Sequence, residues 1–296
     1  MANKSVVMHE MNIKNTTAKQ TVFKVFGYIL KYAFLLFIAL IVLFPFYWMI
    51  ISSLKTLDEY KLSVPTLWPK MVMWSNYAEA FQTANLGRLF GNTVLVGVVS
   101  TILSLVLTIL AAFAFARLEF KGKNMLFGAL LATMMIPGEL FTITNYITVA
   151  QMKLLNTYTV LIVPFLVSVF YIYLLRQNFM QIPNELYLAA KVDGTSDLKY
   201  LIKVMIPLAL PTIISITILK MMGAWNSYMW PRLVANDTAH TLVTYGLRNA
   251  FNDASGETNY PVQMAAVAVV SLPLFLVFIF FRKYIMKGVS RSGIKG

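Results

Sequence analysis

The chain has 296 residues, of which 58% are hydrophobic and 12% charged, and its mean hydropathy is +0.69. Soluble domains carry roughly 25% charged residues, so a soluble enzyme is excluded and an integral membrane protein is implied. The lack of cysteine excludes disulfides, thiolate catalysis and Cys-ligated metal centres, and two distant histidines, His9 and His240, exclude a His-rich metal site. A net charge of +13 would suggest nucleic acid in a soluble chain; here its placement between apolar segments decides its meaning.

The predicted fold is all-α and polytopic, with six transmembrane helices. A helix needs about 20 apolar residues to cross the hydrocarbon core, and the period-two alternation of a barrel is absent. The tail 1–32 is polar and basic, and residues 1–24 are expected to be disordered or to lie on the membrane surface. The first span, 33–51, is uncharged. It starts too far in and runs too long for a cleaved signal peptide, so the N-terminus is expected to be retained. The outer loop 52–91 holds Pro65 and Pro69 and an aromatic-spaced stretch through Trp68, Trp74, Tyr77 and Phe81. Such rings favour the headgroup layer, which predicts a short interfacial helix around Asn76–Thr83.

A core over 88–281 carries the other five spans, at 92–116, 125–149, 158–175, 205–225 and 260–281. The third contains Glu139 beside an interruption at Pro137–Gly138, and such irregularity is tolerated at membrane depth only where protein or a water cavity receives it. The fifth contains Lys220, expected to snorkel its ammonium outward. The outer loop 226–259 is polar and expected to lack regular structure; the tail 282–296 is basic. No repeat and no Gly-rich phosphate loop is present, so the chain cannot bind and hydrolyse a nucleotide alone.

Seventeen of the 25 Lys and Arg fall in the two tails and in the 117–124 and 176–204 loops, and seven in the other loops, with Lys220 left over. The richer side is cytoplasmic by the positive-inside rule. Both termini are therefore expected inside, and the tails read as anchors for anionic lipid, not as nucleic-acid patches.

The loop 176–204 has the most distinctive chemistry. Pro183 and Glu185 suit the first turn of a helix, and Ala189 and Ala190 let that helix lie close to another surface. Asp193–Gly194 is a stop signal, with Gly able to take the left-handed conformation. Thr195 and Ser196 can cap a second short helix before Pro207 opens the fifth span. A helix–Gly–helix elbow between two membrane helices is a lever for pushing on a cytoplasmic partner. A connector of this length is seldom idle.

This segment resembles the cytoplasmic loop of ABC-importer permeases, whose pattern runs E-A-A-x-x-D-G and later L-P. Ala189, Ala190, Asp193 and Gly194 match, Ile206–Pro207 stands near the Leu-Pro, and Leu188 replaces the family's Glu. The stretches 44–55, Asn92–Thr93, 115–123, Trp225–Asn226 and 287–296 are similar to the carbohydrate-uptake subfamily, in particular to the maltose-type "G" subunit, one half of a heterodimeric pair. The resemblance implies a type I ABC importer permease fold, a second permease subunit, two ABC ATPase subunits that hold ATP and Mg, an extracytoplasmic solute-binding protein, and a saccharide cargo. It gives this chain no cofactor or metal of its own, and no enzymatic activity. It places the ATPase-coupling loop at Glu185, Leu188, Ala189, Ala190, Asp193, Gly194 and Thr195. The substrate pathway candidates are Glu139, Asn145, Trp225 and Asn226. The binding-protein contact loop includes Asn249, Asn252 and Asp253.

Two other readings stand beside this one. An ABC permease for a non-sugar solute would share the loop. An ion-coupled carrier would need titratable groups near the midplane, for which only Glu139 and Lys220 are available. Trp225 is either an interfacial anchor or, with Asn226, a surface for a sugar ring.

Overall fold

The computed structural model describes residues 2–251 and 258–290, and side chains over 25–251 and 258–284. Uninterrupted apolar runs give long helices, and prolines and glycines divide the others. Helix α1 (Ala2–Ser53) takes in the first expected span and the polar tail. The backbone of residues 2–24 is thus helical rather than irregular; it contains neither Gly nor Pro, the two strongest helix breakers. A short turn, α2 (Leu57–Tyr60), begins at Thr56, whose side chain accepts from the Glu59 N–H. Helix α3 (Ser75–Thr83) is the short helix expected in the first loop. Helix α4 (Leu86–Arg117) has 32 residues and is about 48 Å long.

The third expected span is broken where Pro137 falls. Helix α5 (Lys123–Thr133) gives way to a 3-10 turn at Gly138–Phe141 and then to α6 (Thr142–Gln151), the two arms meeting at 82°. The segment expected as a single span at 158–175 is also two helices, α7 (Tyr158–Ile162) and α8 (Val169–Met180), bent by 45° around a 3-10 turn at Val163–Phe165. Pro164 lacks an N–H and disfavours helix in the residue before it. Ser168 then restarts the helix by accepting the Tyr171 N–H at 3.5 Å.

Helices α9 (Asn184–Val192) and α10 (Asp197–Tyr200) follow, and α10 runs through a π turn at Leu201–Met205 into α11 (Ile206–Trp225). The wide turn lies just ahead of Pro207, whose missing N–H cannot close an ordinary one. The loop after α11 is not structureless: α12 (Met229–Val234) and α13 (Val243–Ala250) occupy it before α14 (Tyr260–Ser290). Helices this short leave too few turns for a period to stand out in the sequence.

Helix α4 is the central post, packed against α8 and α11, while α14 packs against α11, α3 and α1. At the Leu86 end of α4 the core joins Leu86, Leu89, Trp225, Val243, Val262 and Ala266. At the Arg117 end it joins Phe113, Leu175, Phe179, Tyr200 and Met205. Among the described residues four helices are long and apolar enough to cross a membrane, or up to six if each bent pair is one span. Along α1 nearly every side chain from Val25 to Phe46 is exposed, the pattern of a helix whose solvent is lipid or another subunit.

Candidate functional site

Around the 185–203 elbow, local sequence and tertiary contacts cooperate. Pro183 stands at the N-cap of α9, one position earlier than its expected place inside the first turn, and Glu185 lies in that turn. The helix stops at Asp193, and Gly194 takes φ +68°. The Thr195 N–H donates to the Ala190 carbonyl at 2.9 Å and the Gly194 N–H to that of Lys191 at 3.0 Å. This is the Schellman closure, which satisfies carbonyls a helix end would otherwise leave bare. Ser196 is the N-cap of α10 by backbone, but its side chain makes no capping bond.

Four side chains not singled out in the sequence hold the two arms together. The Tyr187 hydroxyl donates to Asp197 Oδ1 at 2.8 Å, and Lys191 Nζ reaches the same oxygen at 2.7 Å. The Tyr187 ring also packs on Tyr200 at 5.2 Å between centroids. Burial comes first among the causes that raise the Tyr187 pKa, followed by its hydrogen bond to Asp197, so the phenol stays a donor at neutral pH. With Tyr187 and Ala190 turned inward against the core, the opposite face of α9 exposes Glu185, Leu188, Ala189 and Val192. These positions recur at three and four residues, so they form one stripe. Beyond Glu185 it is apolar, and Val192 is 89% exposed.

The elbow is also tied to the central post. Arg117, at the end of α4, donates to the carbonyls of Phe179 at 2.9 Å and Ile182 at 2.5 Å, groups released where α8 ends. Arg176 returns the contact by donating to the Phe115 carbonyl at 3.1 Å, with its guanidinium 4.0 Å over the Phe127 ring. The elbow is therefore anchored to α4 and α8 at its start and runs directly into α11 at its end.

At the other end of α4, Asn92 Nδ2 donates to the carbonyls of Ala239 at 2.7 Å and Thr241 at 3.0 Å, and its Oδ1 accepts from the Tyr158 hydroxyl at 2.8 Å. Thr93 Oγ1 accepts the Val243 N–H at 2.9 Å. The strand of chain between α12 and α13 is thus clamped onto α4. Gly246 sits so close that a Cβ there would lie 2.4 Å from Leu89 Cδ2.

The four pathway candidates are scattered. Glu139 and Asn145 are exposed on the broken α5–α6 segment, and Asn226 is exposed with Nδ2 donating back to the Met222 carbonyl at 2.9 Å. Trp225 is buried, its Nε1 donating to the Val270 carbonyl at 3.3 Å and its ring beside Phe90. It is neither an interfacial anchor nor a free face for a sugar, because the last turn of α11 points it into the core of α4, α13 and α14. Lys220 does not snorkel outward; its ammonium turns inward to the Phe165 carbonyl, an acceptor freed by the Pro164 break. Asn249 is exposed at the end of α13, whereas Asn252 and Asp253 lie outside the described residues. No group of three or more potential metal ligands occurs among the described residues.

A bundle of apolar helices with two broken spans and a helical elbow between α8 and α11 defines a polytopic membrane protein. The chain belongs to the family of binding-protein-dependent transport system inner membrane components, which it matches over residues 104–291. It is a permease subunit of a binding-protein-dependent ABC importer. It is 30% identical to the arabinooligosaccharides transport system permease protein AraQ of Halalkalibacterium halodurans, over 88% of this chain and 94% of that one. Similarity at 30% also extends to the polygalacturonan/rhamnogalacturonan transport system permease protein YtcP of Bacillus subtilis, over 90% of this chain and 97% of the other. The fold superposes on the crystal structure of a bacterial ABC transporter involved in the import of the acidic polysaccharide alginate, with a TM-score of 0.81, 23% identity, and coverage of 88% of this chain and 96% of that one.

Proposed function

We propose that this chain is one half of a heterodimeric pathway that imports a saccharide, most simply an oligosaccharide, driven by ATP hydrolysis on two separate ATPase subunits. The observation that carries the mechanism is the elbow. Its exposed stripe of Glu185, Leu188, Ala189 and Val192 offers an apolar docking face in place of the acid usual at position 188. The chain entering it is tied to α4 through Arg117, and its second arm is continuous with α11. Closure of ATP-bound ATPases would push on this stripe, and the Schellman-closed turn at Gly194 would carry α10 and α11 with it. The saccharide cargo is supported by the relatives, whose names include arabinooligosaccharides and polygalacturonan/rhamnogalacturonan.

Under the same reading both termini lie in the cytoplasm of a bacterial cell and the α12–α13 segment faces outward. That segment, with Asn249 and the neighbouring residues Asn252 and Asp253, would receive the binding protein. The ATPases would hold the ATP and Mg, and this chain would perform no covalent chemistry.

The test is reconstitution of this chain with its partner permease, ATPases and binding protein in lipid vesicles. Saccharide-loaded binding protein should stimulate ATP hydrolysis and drive uptake of the same saccharide. Uptake that persists without ATP or without binding protein would refute the reading.

A further inference from the structure

We propose that the cavity beside Lys220 is a subsite for an anionic group, a carboxylate or a phosphate ester, on the polyhydroxylated solute that this chain conducts. Lys220 would be the counter-charge. The proposal rests on the pathway reading above and narrows its substrate class.

The cavity holds about 390 Å³, within the range of small-molecule sites. It opens between α4, the α7–α8 break, α11 and α12, and its walls include Ser100, Ser168, Tyr171, Lys220, Ser227 and Trp230. Lys220 lies well inside the apolar run of α11. No Asp or Glu is within ion-pair distance of it among the described residues. A charge at that depth is costly and, when kept, marks a solute pathway or a partner charge. Its one hydrogen-bond partner among the described residues is the Phe165 carbonyl. An ammonium has three donors, so two remain for a ligand in the cavity.

The walls suit the rest of a sugar or polyol. Ser168 accepts the Tyr171 N–H and still has its own O–H to donate. Trp230, held by donating Nε1 to the Val160 carbonyl at 2.9 Å, forms part of the apolar wall of the cavity. The plainer role for Lys220 is a staple that caps the carbonyl exposed by Pro164. A staple needs a donor, not a charge, and an amide of similar length would serve. A counter-charge needs the cation.

The two roles separate in the full transporter, reconstituted with its binding protein. Uptake is measured for a neutral pentose trisaccharide, a uronate trisaccharide and glycerol phosphate, in wild type and in Lys220→Arg, Lys220→Gln and Lys220→Met. The wild-type complex should take up the uronate trisaccharide or glycerol phosphate, and whichever of the two it accepts identifies carboxylate or phosphate. The ratio of anionic to neutral uptake should hold in Lys220→Arg and fall about tenfold or more in the Gln and Met variants, the size of one lost charge-assisted hydrogen bond. The proposal is overturned if the wild type takes up only the neutral sugar, if Lys220→Gln matches the wild type, or if all solutes fall in parallel or the complex fails to assemble in the Gln and Met variants. Failure of the underlying pathway reading looks different: no solute of any charge, loaded on the binding protein, then stimulates ATP hydrolysis by the wild-type complex.

Discussion

Lys191 and Asp197 face each other across the Gly194 turn with Nζ and Oδ1 2.7 Å apart, so one ion pair measures whether the elbow is closed. The hydrogen bond to Asp197 raises the Lys191 pKa above 10.5, and the hydrogen bond from Lys191 lowers that of Asp197 below 3.8. A depressed carboxyl stabilises the folded elbow above its unfolded pKa, and that contribution is lost as pH falls through the folded value. A raised ammonium stabilises it below its unfolded pKa, and that contribution is lost as pH rises through the folded value. Both signs keep the pair intact between about pH 5 and pH 9. The ratio of stimulated to basal ATP hydrolysis should therefore show no titration from this pair across that window. Asp197→Asn should lower the ratio by a similar factor at every pH, with a small change in Tm because both groups are partly exposed to solvent. A loss confined to one end of the window would contradict the assignment.

Gly194→Val should insert and assemble but lose stimulation by loaded binding protein. The site has open space around it, so the penalty is purely that of φ +68°, which a β-branched residue adopts poorly. Gly194→Asn, a residue that tolerates the left-handed region, should retain most of the coupling. Stimulation at wild-type level in the Val variant would remove the elbow from the mechanism.

Asn92→Ala should cost about 1–3 kcal/mol, because two carbonyls and a tyrosine hydroxyl lose a buried partner. Limited proteolysis between α12 and α13 should quicken in the variant, and binding-protein stimulation should drop with it. Unchanged proteolysis would mean that the clamp seen at Ala239 and Thr241 is not what holds that segment down.

Cysteine introduced at Ser290 should be inaccessible to impermeant reagents in intact cells and reactive in inverted vesicles. The chain has no native cysteine, so the readout is unambiguous. Labelling from outside would invert the topology.

The sequence carries the parts of this architecture that depend on composition and on breakers. Six apolar runs, the stop at Asp193–Gly194 and the break at Pro137 are all visible there. The break at Pro164 is not, since prolines also occur inside intact membrane helices when neighbours satisfy the freed carbonyl. That break then redirects Lys220, whose inward turn depends on an acceptor that no local pattern reveals. Arg117 and Arg176 look like topology charges when loops are counted, yet both reach back to backbone carbonyls across helix ends. Tyr187 and Asp197 are ten residues apart on two helices, a spacing with no meaning until the turn between them is closed. Trp225 next to Asn226 has the residue types of a sugar contact, but the rotation of α11 puts the indole in the core.

The central claim, that the face of α9 bearing Leu188 receives an ATPase subunit, is tested most directly by photocrosslinking. A cysteine at Leu188, modified with a benzophenone reagent in the assembled transporter, should give a covalent adduct with the ATPase subunit, while the same probe at Phe37 on exposed α1 should give none. An intact complex in which the Leu188 probe captures only lipid, or the binding protein, would contradict the account.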